Sequence, residues 1–205
     1  MIDRSNVCRL PLFPFKNMNI LFRSTILILL AASLSFAQTK TNDAVIKQIK
    51  EMKADKAFTL TYDKGSDMSK LMASSESFSS AESKKAGIQA MSFGMAYFYQ
   101  GQTLKTAPDP IAITFWVMTK KPQFAANHKW TAAVGTETLD LGDAQYAARA
   151  SENMEYLNFN ISRETLKKIA GVPGAKFKLG TAEFQFSPGQ TKLLTDILTL
   201  SDPAK

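Results

Sequence analysis

The sequence has very few of the residues on which metal and thiol chemistry depend. It contains one cysteine and one histidine among 205 residues. A structural zinc site needs about four Cys or His ligands, and a disulfide framework needs cysteines in pairs. Both classes of protein are therefore excluded, and we expect no bound metal and no other cofactor.

Signatures of nucleophilic catalysis are also missing. There is no G-x-S-x-G elbow, no Ser three residues before a Lys, and no glycine-rich phosphate loop. The acidic residues Glu137, Asp140 and Asp143 recur every three positions but lack the spacing of a calcium loop. One catalytic alternative stays open, a hydrolase that uses two converging carboxylates, because sequence alone cannot select a pair.

The first 37 residues have the order of a secretory signal peptide. Arg23 precedes a short apolar run, and small residues follow at Ser35 and Ala37. The run has about half the length that a membrane span requires, although a retained signal anchor is the alternative. We expect translation to start at Met18, cleavage between Ala37 and Gln38, and a periplasmic or extracellular protein.

Cleavage would remove three of the seven excess positive charges and the single cysteine, Cys8. The whole chain has a net charge of +7. Residues 1–37 hold four basic residues and one acidic residue, which leaves +4 for the 168 residues of 38–205. Three lysine pairs, at 84–85, 120–121 and 167–168, give only a weak attraction for anionic polymers. We therefore expect one mature domain that does not bind nucleic acid.

Apolar periodicity predicts an α+β domain with a predominantly antiparallel sheet, sandwich-like or strongly curved, with short helices near both ends. Asp43–Ala54 has the apolar stripe of a helix, with Asn42 as its N-cap, and the serine-rich stretch 74–85 is predicted to be an exposed loop. Strands are predicted where apolar residues alternate or run together: 57–63, the long segment from Gln89, 111–119, 130–134, 138–141 and 155–161.

The C-terminal third has the clearest local signals. A two-residue turn at Gly180-Thr181 would pair Phe177 with Phe184 and Lys178 with Glu183. Ser162 is expected to cap one helix. Ser187, Pro188 and Gln190 are expected to open the last one.

This part of the chain resembles a group of uncharacterised bacterial secreted domains over about residues 110–200. The resemblance lies in the order of an IAITF strand at 111–115, the LNFNIS segment at 157–162, and the KLGTAEF hairpin at 178–184 before a terminal helix. In those domains a K-x-G-x-x-E-F hairpin also precedes a C-terminal helix. The resemblance implies a secreted α+β domain, and it brings no activity and no site residues.

Aromatic and basic residues supply the candidates for ligand binding. In the strand from Gln89, Phe93, Tyr97 and Tyr99 share one face, and small residues occupy the other, which would let another group approach closely. With Trp116 and Trp130, these rings are expected to pack in the core, and a platform for sugars or bases is the alternative. The residues selected as candidate ligand contacts are Tyr97, Tyr99, Lys120, Lys121 and His128.

Taken together, these patterns predict a secreted or periplasmic, non-catalytic binding or accessory protein of the bacterial envelope. Its partner would be an envelope protein, a surface polymer or a small ligand, bound through the sheet face or through the loops at 100–110 and 120–129. A carboxylate-dependent hydrolase that acts on an envelope polymer is the alternative function.

Overall fold

A computed structural model of the protein describes residues 39–204. The predicted start at Met18, the signal peptide and the cleavage site after Ala37 lie outside the described residues and stay predictions. Within 39–204 the prediction of an α+β domain with predominantly antiparallel sheets is confirmed, and the sheets are open. No helix in this part of the chain is long and apolar enough to cross a membrane.

The larger sheet has six strands in the order β2-β3-β4-β6-β10-β9, and every neighbouring pair is antiparallel. Strands that follow one another in the sequence are also neighbours in this sheet, with two exceptions: β4 pairs with β6, and β6 pairs with β10. The strands are β2 (Phe58–Asp63), β3 (Met68–Ser74), β4 (Ala90–Gln100), β6 (Ile111–Met118), β9 (Gln145–Arg149) and β10 (Met154–Ile161). A separate two-stranded pair joins β1 (Lys40–Thr41) to β5 (Thr103–Leu104).

The smaller sheet has four antiparallel strands in the order β12-β11-β7-β8. These strands are β7 (Lys129–Val134), β8 (Glu137–Asp143), β11 (Lys176–Leu179) and β12 (Ala182–Gln185). The predicted hairpin register is confirmed, since Phe177 pairs with Phe184 and Lys178 pairs with Glu183. The two phenylalanines face the core, and the two charged residues face solvent.

Four helices accompany the sheets: α1 (Asn42–Glu51), α2 (Ser80–Lys85), α3 (Arg163–Ala170) and α4 (Pro188–Leu200). The predicted caps at the start of α3 and α4 are confirmed. The Ser162 hydroxyl accepts the Thr165 amide hydrogen, and Ser187 and Gln190 form a reciprocal capping box. Helix α1 packs against β2 and α4, and α3 packs against α4 and β7.

Aromatic rings join the two sheets in one core. On the larger sheet, Phe115 lies 5.1 Å from Trp130 and 5.7 Å from Phe177, both on the smaller sheet, measured between ring centroids. Phe93 and Phe159 flank Phe115 on the same side. We call this side of the six-stranded sheet the inner face. In β6 and β10 every residue of the inner face is buried, whereas every residue of the opposite, outer face keeps some solvent exposure.

Three details differ from the sequence predictions. Thr41, not Asn42, caps α1, because Asn42 is the first helical residue and its side chain binds Ser69 and Tyr99. The serine-rich stretch is not simply an exposed loop, since it contains α2 and buries Phe78. Strands β3 and β9 were not predicted, because their apolar and polar residues alternate too weakly to stand out from the adjoining turns.

The hairpin packing makes a quantitative prediction. Phe177 and Phe184 are each 3% exposed, so replacing either with Ala is expected to lower the free energy of unfolding by about 3–5 kcal/mol. Lys178→Ala and Glu183→Ala, on the solvent side of the same hairpin, are the controls and are expected to change it by less than about 0.5 kcal/mol. Chemical denaturation measures all four variants, and wild-type stability of the phenylalanine variants would contradict the packing.

Candidate functional site

The structure separates the sequence-predicted contact residues into two groups. Tyr97 and Tyr99 lie on the inner face of β4 and are 1% and 9% exposed. Burial raises the pKa of both phenols, and Tyr99 donates its hydroxyl hydrogen to the Asn42 amide oxygen. Of the two interpretations, core packing therefore describes these tyrosines, and they are not available to a ligand.

The other group, Lys120, Lys121 and His128, lies in the loop that joins β6 to β7. The tyrosines pack near the start of β6, and this loop follows its end, so most of the length of β6 separates the two groups. Both lysines are exposed, and His128 is half-buried. The His128 ring stacks on Tyr146 at 5.8 Å between centroids. The five residues therefore do not form one site.

A buried carboxylate holds this loop against the sheet. Glu155, at the start of β10, is 1% exposed and accepts the backbone amide hydrogens of Gln123 and Phe124 at 2.9–3.0 Å. It also accepts the hydroxyl hydrogens of Thr119 and Tyr146, at 2.9 and 3.0 Å. Burial and this carboxylate together raise the pKa of Tyr146 to about 12. Glu155 is thus fully engaged in positioning the loop.

The accessible aromatic residues lie on the outer face instead. The centre of this face is built from small residues of β4 and β6: Gly94, Ala96, Ala112 and Thr114. Larger side chains border them along the strands, with Trp116 and Tyr156 on one side and Phe98 on the other. We call the depression that these residues form the outer-face trough. Near Phe98 it continues into a cavity of about 470 Å³ beneath loop residues 106–110.

Trp116 forms the central ring of this trough. An added Cβ on Gly94 would lie 2.3 Å from Cη2 and 2.9 Å from Cζ3 of Trp116, so the indole lies directly against the backbone of β4. Only glycine leaves room for a ring at that distance. The ring is held from below while remaining partly exposed to solvent. This small-residue face was predicted from the alternation in β4, and its occupant is Trp116.

Tyr156 is the neighbour of Trp116 across the β6–β10 ladder. The Arg149 guanidinium lies over the Tyr156 ring, 5.4 Å from its centroid. In the next pair of β6 and β10 residues on this face, Thr114 donates its hydroxyl hydrogen to the Asn158 amide oxygen at 2.7 Å. The site thus combines two aromatic surfaces with fixed hydroxyl and amide groups, which is the usual composition of a ligand site.

Three carboxylates in the described residues are engaged by protein partners. Glu155 has the four protein donors given above, Asp140 pairs with Lys129 at 2.7 Å, and Asp196 pairs with Lys192. The lysine and the Gly142 amide lower the pKa of Asp140, and the same pairing raises the pKa of Lys129. Between residues 39 and 204 no group of three or more His, Cys, Asp or Glu side chains could hold a metal ion.

Sequence reasoning named Trp116 only among several aromatic residues and missed Tyr156, Arg149 and Asn158. Tyr156 and Asn158 alternate with Leu157 and Phe159, so the period of β10 already placed them opposite the core. What the period could not show is that β10 lies beside β6, which brings Tyr156 next to Trp116. Arg149 lies in β9, a strand with no clear sequence signal.

Comparisons with known proteins give no match to this chain, whether with protein families, with curated proteins or with solved structures. The resemblance to bacterial secreted domains therefore stays a hypothesis.

The contact between Gly94 and Trp116 can be tested directly. Gly94→Ala would place a methyl group against the indole and 3.0 Å from the Ala73 carbonyl oxygen. We expect the ring to be displaced into solvent, with a red shift of tryptophan emission and a loss of about 1–3 kcal/mol in unfolding free energy. Trp130 is buried and supplies a constant background.

Gly65→Ala is the matched control, since its Cβ would meet only the Asp63 carboxylate at an ordinary 3.4 Å. Emission from Gly94→Ala that matches the wild type would show that the indole does not lie against β4.

The anchoring role of Glu155 makes a separate prediction. In Glu155→Ala both carboxylate oxygens are removed, so the amides of Gln123 and Phe124 lose their acceptor. We expect a loss of about 2–3 kcal/mol in unfolding free energy, and faster hydrogen exchange at these two amides. Glu152→Ala, on the surface, is the control. Unchanged exchange at both amides would contradict the anchoring role.

Proposed function

We propose that this protein is a non-catalytic binding protein of the bacterial envelope, secreted or periplasmic, and that its ligand lies in the outer-face trough. The observation that carries the proposal is the partly exposed Trp116 ring held against the backbone at Gly94. Indole rings are usually buried, and Trp130, the other tryptophan, is 1% exposed. The partly exposed position of Trp116 is typical of a side chain that contacts a second molecule.

The arrangement around Trp116 supports binding. Tyr156 extends the aromatic surface, and the Thr114–Asn158 hydrogen bond orients a polar group beside it. The trough is bordered by Phe98, which is 51% exposed, and by Met118, which is 41% exposed. These two apolar side chains extend the aromatic surface at opposite ends of the trough.

The same geometry gives no support to a hydrolase. The trough contains no pair of carboxylates in its described residues, and the most buried carboxylate, Glu155, lies on the opposite face of the sheet with all its donors supplied by the protein. The envelope location depends on the signal-peptide pattern of residues 1–37, which stays a prediction.

The proposal predicts that binding depends on the trough. The full chain is expressed in bacteria, purified, and co-sedimented with envelope fractions from the cells that make it. Trp116→Ala and Tyr156→Ala are each expected to weaken binding at least tenfold, since aromatic residues at the centre of a site contribute most of the affinity. Circular dichroism and thermal unfolding verify that each variant keeps its fold.

Tyr62→Ala is the matched control, because Tyr62 lies on the edge strand β2 and belongs to the inner side of the sheet. It is expected to bind as the wild type does. Equal binding by wild type, Trp116→Ala and Tyr156→Ala would refute the trough as the site, and a loss with Lys120→Gln or His128→Ala instead would assign binding to the β6–β7 loop.

A further inference from the structure

We propose that the ligand of the outer-face trough is a linear glycan that carries carboxylate groups. This inference rests on the proposed function and names the chemistry of its ligand. It is based on two similar units at the ends of the trough, each consisting of one aromatic ring and one cation. Arg149 lies over Tyr156, and Lys70 lies over Phe98, both 5.4 Å from the ring centroid.

The two units lie at opposite corners of the trough. Tyr156 pairs with Trp116 of β6, which pairs in turn with Ser92 of β4. Phe98 lies six residues after Ser92 along β4. At about 3.4 Å per residue and about 4.8 Å per strand, the rings are about 20 Å apart along the strands and about 10 Å apart across them. One small molecule cannot contact both units, whereas a polymer with recurring groups can.

The floor between the units suits sugar rings. It consists of Ala96, Ala112 and the Trp116 ring, which covers Gly94, with the hydroxyl and amide groups of Thr114 and Asn158 beside that ring. An aromatic face packs well against the C–H surface of a sugar, and amide and hydroxyl side chains can both donate to and accept from sugar hydroxyls. This combination favours a flat, hydroxylated ligand over an extended apolar one.

Charge indicates that the glycan is acidic. The charged side chains that strand alternation places on the outer face are Lys70, Arg149 and Asp63. Asp109 lines the cavity near Phe98, and its carboxylate accepts the Arg163 backbone amide hydrogen. The Asp63 carboxylate is held within its own turn by Ser66 and Gly65. Glu152 lies 3.4 Å from Arg149, but both side chains are at least half exposed, and such a surface pair contributes little. A ligand carboxylate can therefore compete for Arg149.

The distribution of cations argues against single-stranded nucleic acid, which also uses aromatic stacking. A nucleic-acid groove needs positive charge along the whole backbone path. Between the two units, the described residues of the outer face on β4, β6 and β10 carry no Lys or Arg. Cations that lie only at the two ends of the trough match a polymer whose negative charges are more widely spaced than the phosphates of nucleic acid.

The test compares polymers that differ only in carboxylate charge. Purified protein from the full chain is titrated with polygalacturonate and with its methyl-esterified, uncharged form, and is co-sedimented with peptidoglycan sacculi before and after amidation of their carboxylates. We expect binding to an acidic polymer that is at least tenfold tighter than to its neutral form. Raising NaCl to 0.5 M should remove most of that preference.

Arg149→Gln and Lys70→Gln are each expected to reduce the acidic preference about three- to fivefold, measured as the ratio of affinities for the charged and the neutral form. Lys178→Gln, on the solvent side of the other sheet, is the matched control and should keep the full preference. Trp116→Ala should weaken both forms equally, because the ring contacts the sugar and not its charge.

The outcomes separate this inference from the proposed function. Equal binding of charged and neutral forms, or no binding to either acidic polymer, overturns the acidic glycan even when envelope binding still depends on Trp116. Tighter binding to single-stranded oligothymidylate than to either polysaccharide also overturns it, and assigns the trough to nucleic acid. Envelope binding that does not depend on Trp116 overturns the proposed function itself.

Discussion

The packing of Phe115 between the two sheets is the contact on which the rest of the structure depends. Its ring meets Trp130 and Phe177 on the smaller sheet and Phe93 and Phe159 on its own sheet. Because side chains alternate along a strand, fixing Phe115 inward also fixes Trp116 outward. A shift of one residue in β6 would exchange the two faces, so the register that fills the core also creates the trough.

The helical side of the core is held by charge as well as by apolar packing. Lys40, which is 5% exposed, donates to the backbone carbonyl oxygens of Thr199 and Leu200. Arg163 donates to the backbone carbonyl oxygen of Leu198. Two cations thus meet the C-terminal end of α4, where unpaired carbonyls and the helix dipole favour positive charge. Burial lowers the pKa of Arg163, while Asp202 partly offsets this effect. These contacts tie the first described strand and α3 to the last helix.

Local patterns predicted much of this fold, and long-range neighbours account for the rest. The hairpin at Gly180 and the caps at Ser162 and Ser187 depend on residues within a few positions of one another, and each was predicted correctly. The pairing of β6 with β10 joins residues more than 35 positions apart, and no local pattern indicates it. The site was missed for the same reason, since Trp116 and Tyr156 become neighbours only through that pairing.

The tyrosines show the limit of arguing from composition. Tyr97 and Tyr99 alternate with Ala96 and Phe98, and sequence alone does not say which side of β4 faces the core. In the structure, the small residues of β4 lie on the outer face, and Trp116 occupies the space beside Gly94 there. The tyrosines therefore face the core. The two tyrosines selected as candidate ligand contacts are therefore core, and the face opposite to them carries the accessible rings.

Gly94 gives the strongest reason to regard the outer face as functional. Glycine within a central strand costs roughly 0.5–1 kcal/mol relative to alanine, because it loses more backbone entropy and packs no side chain. A sheet face that served only as a solvated surface would gain stability from a β-branched residue at this position. What glycine provides here is room for an indole ring beside solvent, in contact with the backbone below it. A strand position whose own side chain is given up to hold a partly exposed ring is the relation expected when the surface around that ring is kept for binding.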